Sequence, residues 1–465
     1  MFKKINMQIE LLNKEEYFFI GVAGTGMSAL AQYAAGIGKR VSGSDRYFAN
    51  NEPNDTKEKL EAAGIKCFPQ DGSGITNNTQ LVVISTAVEA SNAELQKAIS
   101  LGILVVKRAD LLAAFCASKK TVAIGGTSGK STTSAMLFDI LSYAGLQPSI
   151  ISGAGLVRLQ QQGLIGNAWV GNGEWLVIEA DESDGSIVNY YAEIGVLLNI
   201  DKDHKEVAEL LPIFQLFKNH SNQFFVNIGN QLAAPFADGL TTRFSVYGEQ
   251  GEANYTATAF KQDGFEMHFL INNTAFQLNA LGKHNMENVL AAASVANSIG
   301  VNLNTIAAGI KTYKGIYRRN QIIGKKSGVW LIDDYAHNPA KVAAAIRGVQ
   351  PLATKVIAWF QPHGYGPTRF LRNDFVSEIA NALRPNDEIW MSEIYYAGGT
   401  AVKDISASDL IADLLAKNSK AFFVEDRNDL IKTMQNHFTS DTVLLLMGAR
   451  DPSLDSFAAQ VYSEL

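Results

Sequence analysis

Short apolar runs, separated by longer stretches whose apolar positions recur every third or fourth residue, organise the chain from residue 17 onward. Such runs read as buried strands, and the stretches between them as helices laid against a parallel sheet. Residues 17–20 lead into GVAGTGMSAL and a helical pattern that ends around Gly36 and Gly38. LVVIST (81–86) and ILVVKRADLLAAF (103–115) repeat the strand-then-helix theme, so the first ~118 residues form one α/β unit. Ala117, Ser118, Lys119 and Lys120 make a short polar break without proline or glycine. Residues 121–145 then give an apolar strand, a glycine-rich turn and a helix. In that helix Met136, Leu137, Ile140, Leu141 and Ala144 share one face, and Gly145 supplies a stop.

Two more apolar strands follow, EWLVIEADESDGS (174–186) and IGVLLNI (194–200), each running into acidic residues. Residues 241–281 alternate apolar and polar, which predicts antiparallel strands appended to the parallel sheet. GKHNMENVLAAASVANSIG (282–300) reads as a helix. From near Gly315, VWLIDDYAHNP, KVIAWF, DEIWMSE, AFFVED and DTVLLLMG alternate with the helical SASDLIADLLAK and RNDLIKTMQNHF, a second call for a parallel sheet. The expected class is α/β in three domains: Rossmann-like over 1–118, phosphate-loop type with added antiparallel strands over 119–314, and Rossmann-like again over 315–465.

The turn at 125–131 is where chemistry enters. Gly125, Gly126 and Gly129 let successive backbone N–H groups face an anion, Lys130 brings a point charge to the β- and γ-phosphate positions, and Ser131 suits a magnesium ion. As a loop lysine, Lys130 is expected to face solvent and add little to packing. The full phosphate-loop pattern asks for glycine at 124, where the chain has Ile124, so the match is to a shorter relative of the motif. Glu179, Asp181, Glu182 and Asp184 at a strand end beside such a loop are suited to holding magnesium or a cationic group, although an acidic turn capping a helix would look similar. Asp201, Asp203 and His204 close the next strand. Asn285 and Asn288 either cap their helix or meet a base. In the last unit Asp333, Asp334, His337 and Asn338 follow one strand, and His363, Tyr365, Arg369 and Arg372 the next, at the sheet edge where α/β folds bind ligands.

The first turn poses a different question. Gly24 to Ala29 satisfies G-x-G-x-x-G/A, with Asp45 closing the next strand near the ribose position, which taken alone suggests a nicotinamide dinucleotide or merely a tight strand–helix turn. Composition narrows the field. A chain of 465 residues with 47% hydrophobic positions and net charge −6 can bury ordinary cores but offers no basic field for nucleic acid, and no lysine- or arginine-rich run for a membrane surface. The two cysteines, Cys67 and Cys116, build neither a disulfide framework nor a zinc site, which fits a reducing cytoplasm. No export signal or membrane span is expected, and the oligomeric state is expected to be monomer or weak homodimer.

GTSGKSTT, EADESDGS, NIDKDH, GKHNMENV, YRRN and DDYAHNP, in this order and spread over the whole chain, resemble the ATP-dependent Mur ligases of bacterial cell-wall synthesis. GVAGTGMSAL with SGSD (42–45), ISTAV (84–88), DESDGS and FQPH (360–363) point to the branch that joins L-alanine to UDP-N-acetylmuramate, and a sister branch that attaches recycled murein peptide shares many of them. The resemblance implies that the first domain takes UDP instead of NAD, through Gly24, Gly26, Asp45, Ser85 and Thr86. It implies an ATP site of Gly126, Thr127, Ser128, Gly129, Lys130, Ser131 and Thr132, with Asn285 and Asn288 at adenine and Arg319 and Asp334 carried onto ATP. It further implies magnesium on Ser131, Glu179 and His204, with Lys130, Glu179 and His204 catalytic, and an amino-substrate site of Asp181, Glu182, Ser183, His363, Arg369 and Arg372. The implied reaction activates a carboxylate as an acyl phosphate that an amine then attacks, in a site that must close against water.

The chain departs from the family pattern in four places. Ser128 stands where alanine ligases have histidine, and His204 is followed by Lys205 and Glu206 instead of Met-Asp. The carbamylated lysine of other branches has no clear counterpart, Lys218 being the nearest. In place of P-H-R-[FY]-T-R-T-R the chain reads PHGYGPTR, so Gly364 and Pro367 replace two arginines, and Arg372 is the expected substitute if it faces the same ligand as Arg369. Three functions remain open at this point: a Mur-type ligase using an amino acid or a murein peptide, an NAD-linked oxidoreductase, and a nucleotide-binding protein without catalysis.

Overall fold

The structure is a computed structural model that describes residues 8–48, 54–201, 207–246, 253–396, 402–451 and 453–465. Among these residues three sheets appear. The first holds β1 (Glu16–Ile20), β2 (Arg40–Asp45), β3 (Lys66–Pro69), β4 (Leu81–Ile84) and β5 (Leu104–Lys107), in the order β3-β2-β1-β4-β5 and parallel throughout. The order reverses at β1, so the crevice for a ligand lies over the C-terminal ends of β1 and β4. The helix Thr25–Gly36 follows β1 through Gly21, whose φ of 77° only glycine adopts without strain.

The second sheet gathers β6 (Lys120–Gly125), β7 (Ser149–Ile151), β8 (Ala168–Trp169), β9 (Trp175–Glu179), β10 (Ala192–Leu197), β11 (Ser221–Asn227), β12 (Arg243–Val246), β13 (Tyr255–Asp263), β14 (Glu266–Ile271) and β15 (Thr274–Asn279). Its order is β15-β14-β13-β12-β11-β10-β6-β9-β7-β8, with β6 flanked by parallel β10 and β9. The antiparallel expectation for 241–281 needs correction: β12 pairs parallel with both β11 and β13, and antiparallel pairing is seen between β14 and β15. Alternating polarity reports one solvated face and is blind to strand direction.

The helix Lys130–Tyr143 is buried almost all round, Ser131 and Thr133 to Leu141 included, because the helices Lys283–Ser298 and Leu303–Ile310 cover the side away from the sheet. A single apolar face therefore understates its burial. The third sheet contains β16 (Gln321–Lys326), β17 (Val329–Asp334), β18 (Lys355–Gln361), β19 (Glu388–Met391), β20 (Ala421–Phe423) and β21 (Thr442–Gly448), ordered β16-β17-β21-β18-β19-β20. It is parallel except for β16, and Trp359 and Trp390 anchor its core. By its contacts the chain divides into two compact units, the first two sheets in one and the third sheet in the other, with the break after Gly315. Among the described residues no helix is long and apolar enough to cross a membrane.

Candidate active site

In the first sheet the C-terminal edge carries Gly24, Gly26, Ser85 and Thr86 just beyond β1 and β4. Asp45 is 5% exposed, and its carboxylate accepts from the Ala23 N–H at 3.0 Å and the Tyr47 N–H at 3.1 Å. Oδ2 thus ties β2 to the glycine turn and Oδ1 fixes the turn after β2, a scaffold role that the ribose position did not suggest. A Cβ on Gly26 would come within 3.1 Å of Arg108 Nη1, and Arg108 reaches Asp184 at 3.3 Å, so this arginine joins the turn to the acidic segment.

The second turn is built around Lys130. Gly129 caps the helix Lys130–Tyr143 at φ 85°, and Gly126 sits at φ 135°. Thr127 Oγ1 donates to Asn199 Oδ1 at 2.9 Å, the Ser128 N–H donates to the same oxygen at 2.9 Å, and Asn199 Nδ2 returns a bond to the Ser128 carbonyl at 3.1 Å. Asn199 thereby holds the loop open as a cradle. Its signal in the sequence was a polar residue closing the strand beside the phosphate strand, and it was missed because only tertiary pairing of β10 with β6 brings it to the turn.

Lys130 does not face solvent, contrary to expectation. Its side chain is 16% exposed, with Nζ donating to the Gly126 carbonyl at 2.7 Å and to Glu182 Oε2 at 2.9 Å. Glu182 is itself 4% exposed, so it neutralises the lysine where the sequence had assigned it to the amino substrate. Glu179 ends β9, level with Ile124 on β6, and its Oε1 accepts from Ser152 Oγ at 2.6 Å and from the Gly153 N–H at 2.8 Å. Burial opposes ionisation of Asp181, but hydrogen bonds from the Ser183 backbone and side chain, with Lys130 and Arg108 nearby, hold its carboxyl below the usual range. Ser131 is buried and Thr132 half-buried in the first turn of the helix.

Asn167 links the first turn to Glu179 through Ser152. Its Nδ2 donates to the Thr25 carbonyl at 2.8 Å, its carbonyl accepts from the Ser152 N–H at 2.8 Å, and Ser152 Oγ is the donor to Glu179.

Both asparagines offered to adenine are committed elsewhere. Asn288, 7% exposed, accepts from Thr133 Oγ1 at 3.2 Å and donates to Asn285 Oδ1 at 3.1 Å, while Asn285 Nδ2 caps the Leu281 carbonyl. In this structure Asn288 clamps its helix to Lys130–Tyr143, and Asn285 steadies Asn288. Lys218 donates to the Asp238 carbonyl at 3.1 Å from an exposed position. His204, with Lys205 and Glu206, lies outside the described residues.

In the unit of the third sheet, the YRRN pair of arginines divides its duties. Arg318, 4% exposed, forks onto Asp333 at 2.8 and 3.3 Å and donates to the Gly448 carbonyl. Arg319, the one singled out from the sequence, makes no such fork among the described residues, and adjacent identical residues gave no means of choosing. Asp334 accepts from the Asn320 and Ala336 N–H groups, and burial still pushes its carboxyl up to about 6. The His363 and His337 rings lie tilted, 5.8 Å apart, beside a cavity of about 100 Å³, and among the described residues the buried His363 Nδ1 has no hydrogen-bond partner. Burial, with His337 and Arg450 adding repulsion, pushes His363 down to about 4.

Arg369 and Arg372 do not face one ligand. The helix Tyr365–Phe370 ends before Arg372–Ala382 begins, which turns the two guanidinium groups apart: Arg369 pairs with Asp404, and Arg372 forks onto Asp413 at 2.7 and 3.1 Å.

With this geometry in view, three profiles of one family match the chain: Mur ligase family, catalytic domain over 16–120; Mur ligase middle domain over 124–296; and Mur ligase, glutamate ligase domain over 318–450. UDP-N-acetylmuramate–L-alanine ligase of Gloeobacter violaceus is 32% identical, covering 96% of this chain and 95% of its own length. The enzyme of the same name from Nostoc punctiforme is 33% identical, covering 93% of each. Among solved structures, the UDP-N-acetylmuramate–alanine ligase of Thermotoga maritima superposes with a TM-score of 0.79 at 23% identity, covering 96% of this chain and 98% of that one. A murein peptide ligase of Psychrobacter arcticus gives 0.66 at 20% identity, covering 97% and 98%. At that identity the superpositions establish the shared fold, while the near full-length relatives carry the assignment further: this chain belongs to the Mur ligase family.

Proposed function

We propose that this protein is an ATP-dependent ligase that joins the amino group of an amino acid, L-alanine by the names of its relatives, to the lactyl carboxylate of UDP-N-acetylmuramate in peptidoglycan synthesis. The observation that supports this best is the meeting of a lysine-bearing glycine turn at the end of β6 with Glu179 and Glu182 at and just beyond the end of adjacent β9. A nucleoside triphosphate needs that combination of backbone donors, cation and carboxylates, and a dinucleotide oxidoreductase does not. The family membership displaces the NAD reading of Gly24 to Ala29 in the same direction.

In this reading Gly24, Gly26, Ser85 and Thr86 receive the UDP part within a turn held by Asp45, and Gly126, Thr127, Ser128, Gly129 and Thr132 wrap the triphosphate. Lys130 exchanges Glu182 for the transferring phosphoryl, a trade of one anion for another that leaves its charge in place. Residues 1–118 then serve the UDP-sugar, 119–314 ATP and 315–465 the amino acid. Ser131 and Glu179 are hard oxygen donors of the kind magnesium takes, and His204, the third expected ligand, lies outside the described residues; when bound the ion would screen the triphosphate charge. A cytoplasmic location follows from where such substrates reside.

Phosphate release from ATP, measured with UDP-N-acetylmuramate against a panel of amino acids and murein peptides and confirmed by product mass, tests the proposal. Amino-acid-dependent release with L-alanine among the accepted acids is expected; no release with any amino compound would refute it.

A further inference from the structure

The third sheet has β21 at its centre, between β17 and β18. Asp334 on β17 is level with Met447, and Gln361 on β18 with Gly448. His337 and His363, a few residues past those strand ends, therefore flank the loop that leaves β21, and Arg450 is the second residue of that loop. Arg450 is exposed and held at φ 64°, a left-handed conformation that glycine adopts freely and an arginine does not. The neighbouring acid does not neutralise it: Asp451 is 5% exposed and accepts from Arg427 and from Ser453. No ion pair or hydrogen bond of the Arg450 side chain is found among the described residues, whereas Arg369, Arg372 and Arg427 at the same edge all have acid partners.

The cavity beside the histidines, about 100 Å³, is walled by Pro367, Thr368, Leu371 and Phe375. It is smaller than the ~150 Å³ void that takes up a benzene ring, so its natural content is a short aliphatic group. Neither Gly364 nor Pro367, in the loop around it, supplies a charge.

We infer that Arg450, on the loop beside this pocket and outside its lining, is the residue that recognises the anion there: it grips the carboxylate of the amino substrate while the cavity accepts a short aliphatic side chain. The inference rests on the ligase reading above and adds the residue that selects the acceptor. A planar guanidinium fork matches a carboxylate bidentately, and a fork without a resident partner is available to one that arrives.

Arg450→Gly is a clean test because it removes the fork and relieves the backbone together, so thermal melting should match or exceed that of the wild type. In the full-length enzyme the KM for L-alanine should rise about tenfold or more, with the KM values for ATP and UDP-N-acetylmuramate within twofold. The wild type should prefer L-alanine over L-alaninamide, and that preference should collapse in Arg450→Gly and be partly kept in Arg450→Lys. An unchanged KM for L-alanine, or an unchanged acid-to-amide ratio, would overturn the inference. Should the wild type release no phosphate with any amino acid, the ligase reading falls by itself; calorimetric titration of L-alanine into wild type and Arg450→Gly then decides on Arg450, equal affinities or no binding to either being the refuting results.

Discussion

Gly129→Ala is the substitution whose cost the structure specifies most fully. At φ 85° an alanine carries a left-handed penalty of about 1–2 kcal/mol. Its Cβ would also lie 2.5 Å from Asn288 Oδ1, a contact that real Cβ atoms do not tolerate, so the asparagine must turn away. Turning it sacrifices the bonds to Thr133 and Asn285, about 1 kcal/mol each. The narrower unfolded ensemble of alanine returns roughly 0.4–1 kcal/mol. The net loss is then about 2–3 kcal/mol. Equilibrium urea unfolding followed by circular dichroism gives the size, and a double-mutant cycle with Asn288→Ala gives the cause. In the Asn288→Ala background the clash and the two bonds are already gone, so Gly129→Ala should cost only about 1 kcal/mol, a coupling of about 2 kcal/mol. Equal costs in the two backgrounds would refute the steric argument and leave only the backbone penalty.

Lys130→Ala should abolish phosphate release and, because Glu182 loses its lysine in a buried setting, also destabilise the protein by on the order of 2 kcal/mol. Adding Glu182→Gln should restore stability without restoring release; activity within about tenfold of wild type in Lys130→Ala would remove the lysine from the chemistry. Asp139 is 2% exposed within the helix Lys130–Tyr143, and burial pushes its carboxyl up to about 7 despite Arg158 at 3.0 Å. A raised carboxyl contributes stability that is full below about pH 4 and is lost as pH climbs through about 7, by up to about 4 kcal/mol. Asp139→Asn should therefore gain on wild type between pH 5 and pH 8 in urea unfolding, and a pH-independent difference would show that the Asp139–Arg158 pair is ionised throughout.

Much of the architecture was legible because it is local. The strand, glycine turn and helix of residues 121–145 need nothing beyond apolar runs, left-handed glycines and a terminal Gly145, and they recur as β6, Gly129 and Lys130–Tyr143. RNDLIKTMQNHF was legible only in part: its helix is the five residues Leu430–Met434 between 3-10 turns at Arg427–Asp429 and Gln435–His437. The direction of β12 escaped because polarity patterns carry no sign. At the candidate site the residue types were visible but their partners were not. Asn199 and Asn288 act on the phosphate turn from 71 and 155 residues away, and each reads as an ordinary cap until its strand or helix is placed. Arg372, the nearest further arginine along the chain, is occupied by Asp413, whereas the sheet order brings Arg450 from a strand far away in sequence.

The series of three hydrogen bonds from Thr25 through Asn167 and Ser152 to Glu179 has the character of a jig. A turn and a carboxylate that must present different ends of a reaction at a fixed separation are built on different sheets, and in most such arrangements the misplacements of every intervening strand and helix would accumulate between them. Here the tolerance is set by three short contacts, each resisting stretch with about 1 kcal/mol. Strands elsewhere in the two sheets are thereby released from the duty of holding that separation. Their side chains are free to drift in evolution so long as the asparagine and the serine stay.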